Sequence, residues 1–387
     1  MDRREFVAAA GTAVTGALAG CGAFPPGDDP ADGNQTATEW ATSEPIEENL
    51  EDPETAEDGS YSVSIEPMGE VTFDGVPETW VGNNGSWADM ALALGVTAPK
   101  ALWLPSRYYT RYYDDIPNVS VDGSSISALY SDGVGKEQFY DLDGDVHIFD
   151  PNFLQNRYSG WEQADIDDVA DIAPIFGNSS FTHNYDWHSG YRYYTIEEAF
   201  AKLAKVFRRA DHYNAIASVR NDFIRNLSDV VPDDAADRPD VANIWGSNQP
   251  ESFYPYHIGQ GTSYRQLRDL QVGDALAKAG VPDFYDTRGQ IDYETLLDAD
   301  PDVLLVRGHE DKSRSEFEDK VVSFMEDHDT ASTLRAVRNG EVYRGGPLYQ
   351  GPITNMVVAE RQAGQLYGAD ADLFDRQRVG EIVNGNL

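Results

Sequence analysis

Residues Thr195 to Leu227, TIEEAFAKLAKVFRRADHYNAIASVRNDFIRNL, form the longest helical pattern of the chain and stand between two stretches of alternating strand and helix patterns. Thr195, with Glu198 three positions later, makes a capping box at its start. Ile196, Ala199, Phe200, Leu203 and Phe207 share one face, whereas Ile216, Val219, Phe223 and Leu227 share another. The phase slips near Asp211 to Asn214, so the segment predicts two helices or one bent helix, crossing from one half of the protein to the other. A plain surface helix inside one domain is the alternative. With the strand-helix rhythm starting afresh after it, the segment restricts the chain to an α/β fold of two units on a helical joint.

In the first unit, TWVG (Thr79 to Gly82) reads as a strand, SWADMALALG as a helix closed by Gly95, and KALWLP as a second strand. SISALYSDG reads as helical and GDVHIFDPN as a strand. In the second unit DVANIWG is a strand and SYRQLRDLQVGDALAKAG a helix ended by Gly280. IDYETLLDADPDVLLVRG is a helix, an Asp-Pro turn and a β-branched strand. A further helix over SRSEFEDKVVSFMEDH, a strand at NGEVYRGG and a closing helix over ITNMVVAERQAGQLYG complete it.

Three stretches are dense in tyrosine with arginine or histidine: PSRYYTRYYDD from Pro105, FTHNYDWHSGYRYY from Phe181 and ESFYPYHIGQGTSYRQL from Glu251. The first follows a strand directly, and loops at the carboxyl ends of strands are where open α/β sheets place ligands. Tyrosine and tryptophan give large rigid contact area, and arginine gives planar donors for oxygen-rich groups. Packing between the two units is the competing reading of the tyrosines, and ion pairs to Asp114 and Asp115 that of Arg107 and Arg111. Histidine with tyrosine could ligate a haem iron, and His183, His188 and His257 with a carboxylate a bare metal ion, but their spacing is no metal motif. The chain holds no G-x-S-x-G elbow, and the Gly-rich GNNGS and GQGTSY lack full phosphate-loop or dinucleotide spacing, so catalysis has little support.

Lys+Arg 29 against Asp+Glu 67 give a net charge of −38, which disfavours nucleic acid as partner. Such a surface stays solvated where molar salt screens its repulsion, as in a halophile; an acidic protein of an ordinary cell is the alternative. The amino terminus, MDRREFVAAAGTAVTGALAGC, sets Arg3-Arg4 before a short Ala/Gly-rich apolar run and Leu18-Ala19-Gly20-Cys21. It resembles a Tat export signal ending in a lipobox, with lipidation at Cys21, the only cysteine. Residues 22–60 carry many acids and no Lys or Arg, and read as a disordered tether. The expected organisation is therefore signal 1–21, tether 22–60, first lobe 61–194, joint 195–232 and second lobe 233–387.

One resemblance gathers these readings. ETLLDADPDVLLVRG is similar to the helix-turn-strand signature of substrate-binding proteins that serve ABC importers of ferric siderophores, haem and vitamin B12. WADMALALGV, LRDLQVGDALAKAGV and LRAVRNGEVYR stand in the order of that family, over roughly Val71 to Gly368. The resemblance implies two Rossmann-like lobes joined by a long helix with a ligand cleft between them. It implies a non-enzymatic, monomeric protein at the extracytoplasmic face of the membrane, with no cofactor, partnered by a permease and its ATPase. The cargo implied is a ferric siderophore, with haem or cobalamin as alternatives. The strand-exit loops then bring candidate ligand contacts to the cleft. From the first lobe these are Arg107, Tyr108, Tyr109, Arg111, Tyr112 and Tyr113, then Asn152, then Tyr185, Trp187, His188, Tyr191 and Arg192. From the second they are Tyr254, Tyr256, His257, Arg265 and Tyr349.

Overall fold

The computed structural model describes residues 45–130, 135–157, 160–182, 191–370 and 372–387. A hairpin of β1 (Tyr61–Ile65) and β2 (Gly69–Phe73) precedes the first lobe and buries Tyr61 and Phe73, stacked at 5.5 Å. The first lobe is a parallel sheet of β3 (Trp80–Gly82), β4 (Ala101–Leu102), β5 (Ser127–Ala128) and β6 (Val146–Ile148), in the order β5-β4-β3-β6. Helix α1 (Gly85–Ala93) follows β3, started by the Asn84 side chain accepting from the Ser86 amide. As far as it is described, to Tyr130, the expected helix over SISALYSDG is instead the end of a turn at Gly123–Ser125 and the edge strand β5. The preceding serine, Ser124, bonds locally, its amide donating to the Asp122 side chain, and the Ser127 amide donates across the sheet to the Lys100 carbonyl.

The second lobe holds β7 (Asp240–Trp245), β8 (Tyr254–Pro255), β9 (Gly273–Asp274), β10 (Val303–Arg307) and β11 (Val342–Arg344), ordered β11-β10-β7-β8 with β9 also on β7. Strand β10, VLLVR, is buried at every position, as a central parallel strand must be. The pattern read as one helix from Ser263 to Gly280 is broken. Gln271 adopts φ 53°, and Gly273-Asp274 leave the helix to pair with β7 before a last turn at Ala275–Lys278.

The joint is two helices, α2 (Ile196–Val206) and α3 (Ala210–Ser228), broken at Phe207 to Arg209, where Arg208 takes φ 50°. The break comes a few residues before the phase slip because outside residues hold it. Asp52 caps α3 by accepting from the Ala210 amide at 3.2 Å, and Arg208 bonds Thr55. Residues 45–60 are therefore no free tether. The side chains of Asn221 and Asn214, two turns apart on α3, bond both the amide and the carbonyl of Ile46 (2.7 and 2.9 Å) and of Leu50 (2.8 and 3.0 Å). Seven helical residues rise about 10 Å and four extended residues span about 13 Å, so strap and helix run closely in step. Ile46 and Leu50 supply the apolar anchors that overcome the segment's acidity.

Helix α4 (Pro352–Tyr367) packs on α1, α2 and α3, and so lies between the lobes. The chain then crosses back: α5 (Arg376–Val383), inside the expected second lobe, packs on α3 and on α1 of the first. Among the described residues no helix is long and apolar enough to cross a membrane.

Candidate functional site

The carboxyl ends of both sheets face the same region. In the first lobe the residues leaving β4, β5 and β6 build an aromatic wall: Trp103 stacks on Tyr130 at 4.6 Å and meets Phe153 edge-on at 5.1 Å. Tyr130 is 44% exposed despite its size. Phe181 extends this wall and meets Tyr349 of the second lobe edge-on at 5.1 Å. In the second lobe Tyr256, Phe284 and Tyr285 pack ring on ring at 5.3 to 5.8 Å, and Tyr254 packs on Phe284 at 4.9 Å. Arg307, the last residue of β10, lies 4.7 Å over the Tyr264 ring and donates to the Ser263 carbonyl. Gly308 follows at φ 95°, and a Cβ there would stand 2.9 Å from the Trp245 ring, so the turn that ends β10 requires glycine. Burial pushes the Tyr256 hydroxyl above its ordinary value and Tyr285 adds to it, while Arg307 and Arg107, from opposite lobes, pull it back.

The first tyrosine stretch divides between this region and the lobe contact. Arg107, Tyr108 and Tyr109 are half-buried, and burial, with Glu310 and Asp311 beside it, pushes Tyr109 up to about 12. Arg111, Tyr112 and Tyr113 were expected on the ligand wall; the structure places them in protein contacts. Arg111 donates across the lobes to the carbonyls of Glu310 (3.2 Å) and Lys312, and Tyr112 donates to the Glu310 carboxylate. Glu310 also accepts from Arg361 at 3.0 and 3.3 Å and from the Gly346 amide at 2.9 Å. Burial would raise its carboxyl, but Arg361 and Arg344 hold it at about 2. Tyr113 donates to Asp89 at 2.8 Å. Asp89, on α1, reaches across to the start of α4 and accepts from the Ile353 amide (3.0 Å), the Thr354 amide (3.1 Å) and the Thr354 hydroxyl (2.7 Å). Complete burial nevertheless raises Asp89 to about 6, against those bonds.

Five other expected contacts are engaged elsewhere. Asn152 bonds Asp150 through its amide (2.9 Å) and side chain (3.0 Å). Tyr191 donates to the same carboxylate at 2.7 Å and accepts from the Ser179 amide at 2.8 Å. Arg192 is exposed, lies over the Tyr194 ring at 4.7 Å and pairs with Glu198 at 3.3 Å. His257 bonds the Val281 carbonyl through Nε2 at 2.8 Å. Arg265 belongs to a buried network with Asp269 (2.9 Å) and Glu197 (3.4 Å), which Arg220 joins at 2.6 Å from Asp269. That network ties the joint to the second lobe. Burial would raise Glu197, but Arg265 and Arg220 hold it below the usual carboxylate range. Tyr185, Trp187 and His188, with His183, lie outside the described residues, as does Cys21. Among the described residues no group of three or more His, Cys, Asp and Glu is placed to hold a metal ion.

Sequence reasoning missed Trp103, Tyr130, Tyr264 and Tyr285 as members of the two walls. Trp103 and Tyr130 were legible as residues that leave strands, but SISALYSDG had been read as helix. Tyr285 sits in a one-turn helix, Phe284–Thr287, too short for a pattern to mark it.

Comparison with known proteins follows this geometry. The family described as periplasmic binding protein matches residues 113–348. A periplasmic binding protein from Veillonella parvula superposes with a TM-score of 0.57 at 14% identity, covering 81% of this chain and 99% of that one. The iron uptake ABC transporter substrate-binding protein PiuA from Streptococcus pneumoniae gives 0.52 at 16% identity, covering 81% and 99%. The siderophore binding protein FhuD from Vibrio cholerae, bound to Fe3+-Desferal, gives 0.51 at 19% identity, covering 75% and 97%. No curated protein sequence matches the chain. Identities this low speak for the fold, while the sequence match spans well over half of the chain. Two parallel-sheet lobes on a helical joint, matched across both, make this chain a member of the periplasmic binding protein family.

Proposed function

We propose that this protein is the lipid-anchored, extracytoplasmic substrate-binding protein of an ABC importer, and that its cargo is a ferric siderophore. The observation that carries this reading is an aromatic wall at the carboxyl end of each sheet, Trp103 and Tyr130 in one lobe and Tyr256 and Tyr285 in the other, with Phe181 meeting Tyr349 between the lobes and an arginine from each lobe acting on Tyr256. A siderophore is bulky, apolar in part and rich in oxygen, so it calls for rings and planar donors together. The siderophore and iron-uptake proteins among the structural neighbours support the same cargo. No group in the site is asked to do chemistry: the lobes enclose the cargo and the joint limits their swing. Anchoring would come from the lipobox at Cys21, and residues beyond 45, strapped to α3, would begin the rigid body.

The test is intrinsic tryptophan fluorescence of the purified chain in molar KCl, titrated with ferric siderophores, cobalamin and haemin; Trp103 and Trp245 stand at the two walls as reporters. Saturable quenching at sub-micromolar concentration by ferric siderophores is the expected result. Response to cobalamin or haemin alone would replace the cargo, and response to none would remove the importer reading.

A further inference from the structure

Arg307 is 1% exposed, and its Nε and Nη1 have no hydrogen-bond partner. Among the described residues no carboxylate pairs with it, although the chain carries 67 acids and pairs the buried Arg220 and the partly buried Arg265 with Asp269. Among the described residues its guanidinium donates to one carbonyl, that of Ser263, and lies over the face of Tyr264. Around it further buried polar atoms are unpartnered: Thr262 Oγ1, Ser263 Oγ and both ends of the Gln266 amide. A desolvated guanidinium with idle donors is costly to bury, and buried polar atoms without partners in a folded protein call for a specific explanation. Its place supplies one. Arg307 ends β10 beside β7, paired opposite Trp245, and the second sheet starts at β7 and spreads to both sides of it. That is the topological switch point, where open α/β sheets bind ligands beyond the strand ends.

Resting on the importer reading, we infer that Arg307, with Thr262, Ser263 and Gln266, forms an oxyanion-recognition site, and that the cargo is an anionic ferric chelate of the carboxylate or catecholate class rather than a neutral hydroxamate. The planar fork of arginine matches two oxygens of such a ligand. Burial shields the interaction from the salt that screens this protein's surface. Arg107, in whose field Tyr256 also lies, adds positive potential from the facing lobe. The ligand reaches the guanidinium as the lobes part, and closure then desolvates the pair.

The experiment compares the full chain with Arg307→Gln and Arg307→Lys in molar KCl, titrated with a ferric tris-catecholate, a neutral ferric tris-hydroxamate and iron-free citrate. The expected result is tighter binding of the tris-catecholate than of the hydroxamate by wild type, and at least a tenfold loss in Arg307→Gln for the anion alone, about the worth of one charge-assisted hydrogen bond. Arg307→Lys, with charge but no fork, falls between. Without ligand, Arg307→Gln melts no lower than wild type, because an unpaired buried charge has been removed; a clear loss of Tm would make Arg307 a structural residue and overturn the inference. Equal wild-type affinity for both chelates, or equal effects of Arg307→Gln on both, would also overturn it. If no ferric chelate binds wild type, the siderophore cargo fails. The oxyanion site then stands or falls on citrate, which must raise the Tm of wild type and not that of Arg307→Gln.

Discussion

Replacing Glu310 by Gln tests whether the lobe contact rests on one buried carboxylate. Glu310 is almost wholly buried and accepts from Arg361 twice, from the Gly346 amide and, across the lobes, from Tyr112. Its carboxyl sits at about 2 against an ordinary 4.5, a preference for the ionised form of about 3 kcal/mol. Glutamine keeps the shape but leaves the Arg361 guanidinium without its counter-charge, and breaking a buried pair from one side costs about 3 to 5 kcal/mol. Both routes give a loss of about 3 kcal/mol or more at pH 7. Urea unfolding in constant molar KCl, followed by tryptophan fluorescence, reads it. The depressed carboxyl fixes the sign with pH: its stabilisation is complete above 4.5 and lost as pH falls through about 2, and the variant lacks that fall. Adding Arg361→Met should return part of the loss, because the orphaned charge goes too. A loss below about 1 kcal/mol, the size expected of an exposed pair, would refute the reasoning.

Asp89 has the opposite sign: raised to about 6, it favours folding in its protonated form, complete below 3.8 and lost as pH rises through about 6. Unfolding of wild type should therefore show about 3 kcal/mol of declining stabilisation over that window, and Asp89→Asn should flatten it. Asn221→Ala leaves the Ile46 amide and carbonyl unpaired. Limited proteolysis should then cut between residues 45 and 55 faster than in wild type, at a stability loss of about 1 to 3 kcal/mol; an unchanged cleavage rate would mean the strap is held by Ile46 and Leu50 alone. Arg111→Ala and Tyr256→Ala should separate: the first loosens the lobe contact, read as a larger radius in small-angle scattering, while the second weakens siderophore quenching with the radius unchanged.

Two sheets on a bent joint were legible because period and punctuation are local properties. β10 is apolar from Val303 to Val306, Thr195 and Glu198 cap α2 as read, and Gly368 ends α4. The strap was hidden because composition averages over the very anchors that matter: Ile46 and Leu50 lie four apart among acids, and their partners Asn221 and Asn214 are more than 160 positions away. The tyrosine stretch shows the same limit at the site. Sequence determined that four tyrosines and two arginines leave β4 together, but Arg107 came to act on Tyr256 of the facing wall, and Tyr109, Arg111 and Tyr112 came beside Glu310 only because the second lobe brings Glu310 there. Arg265 and Arg307 are alike in the sequence, each an arginine near a strand or loop end. Asp269, on the next turn, neutralises the first, whereas among the described residues no carboxylate pairs with the second, a difference of packing that makes one guanidinium part of an ion-pair network and leaves the other with unpartnered donors. A sequence fixes which groups a chain carries and how each segment curls, whereas which charges stay unpaired depends on distances across the fold, which tertiary packing alone sets.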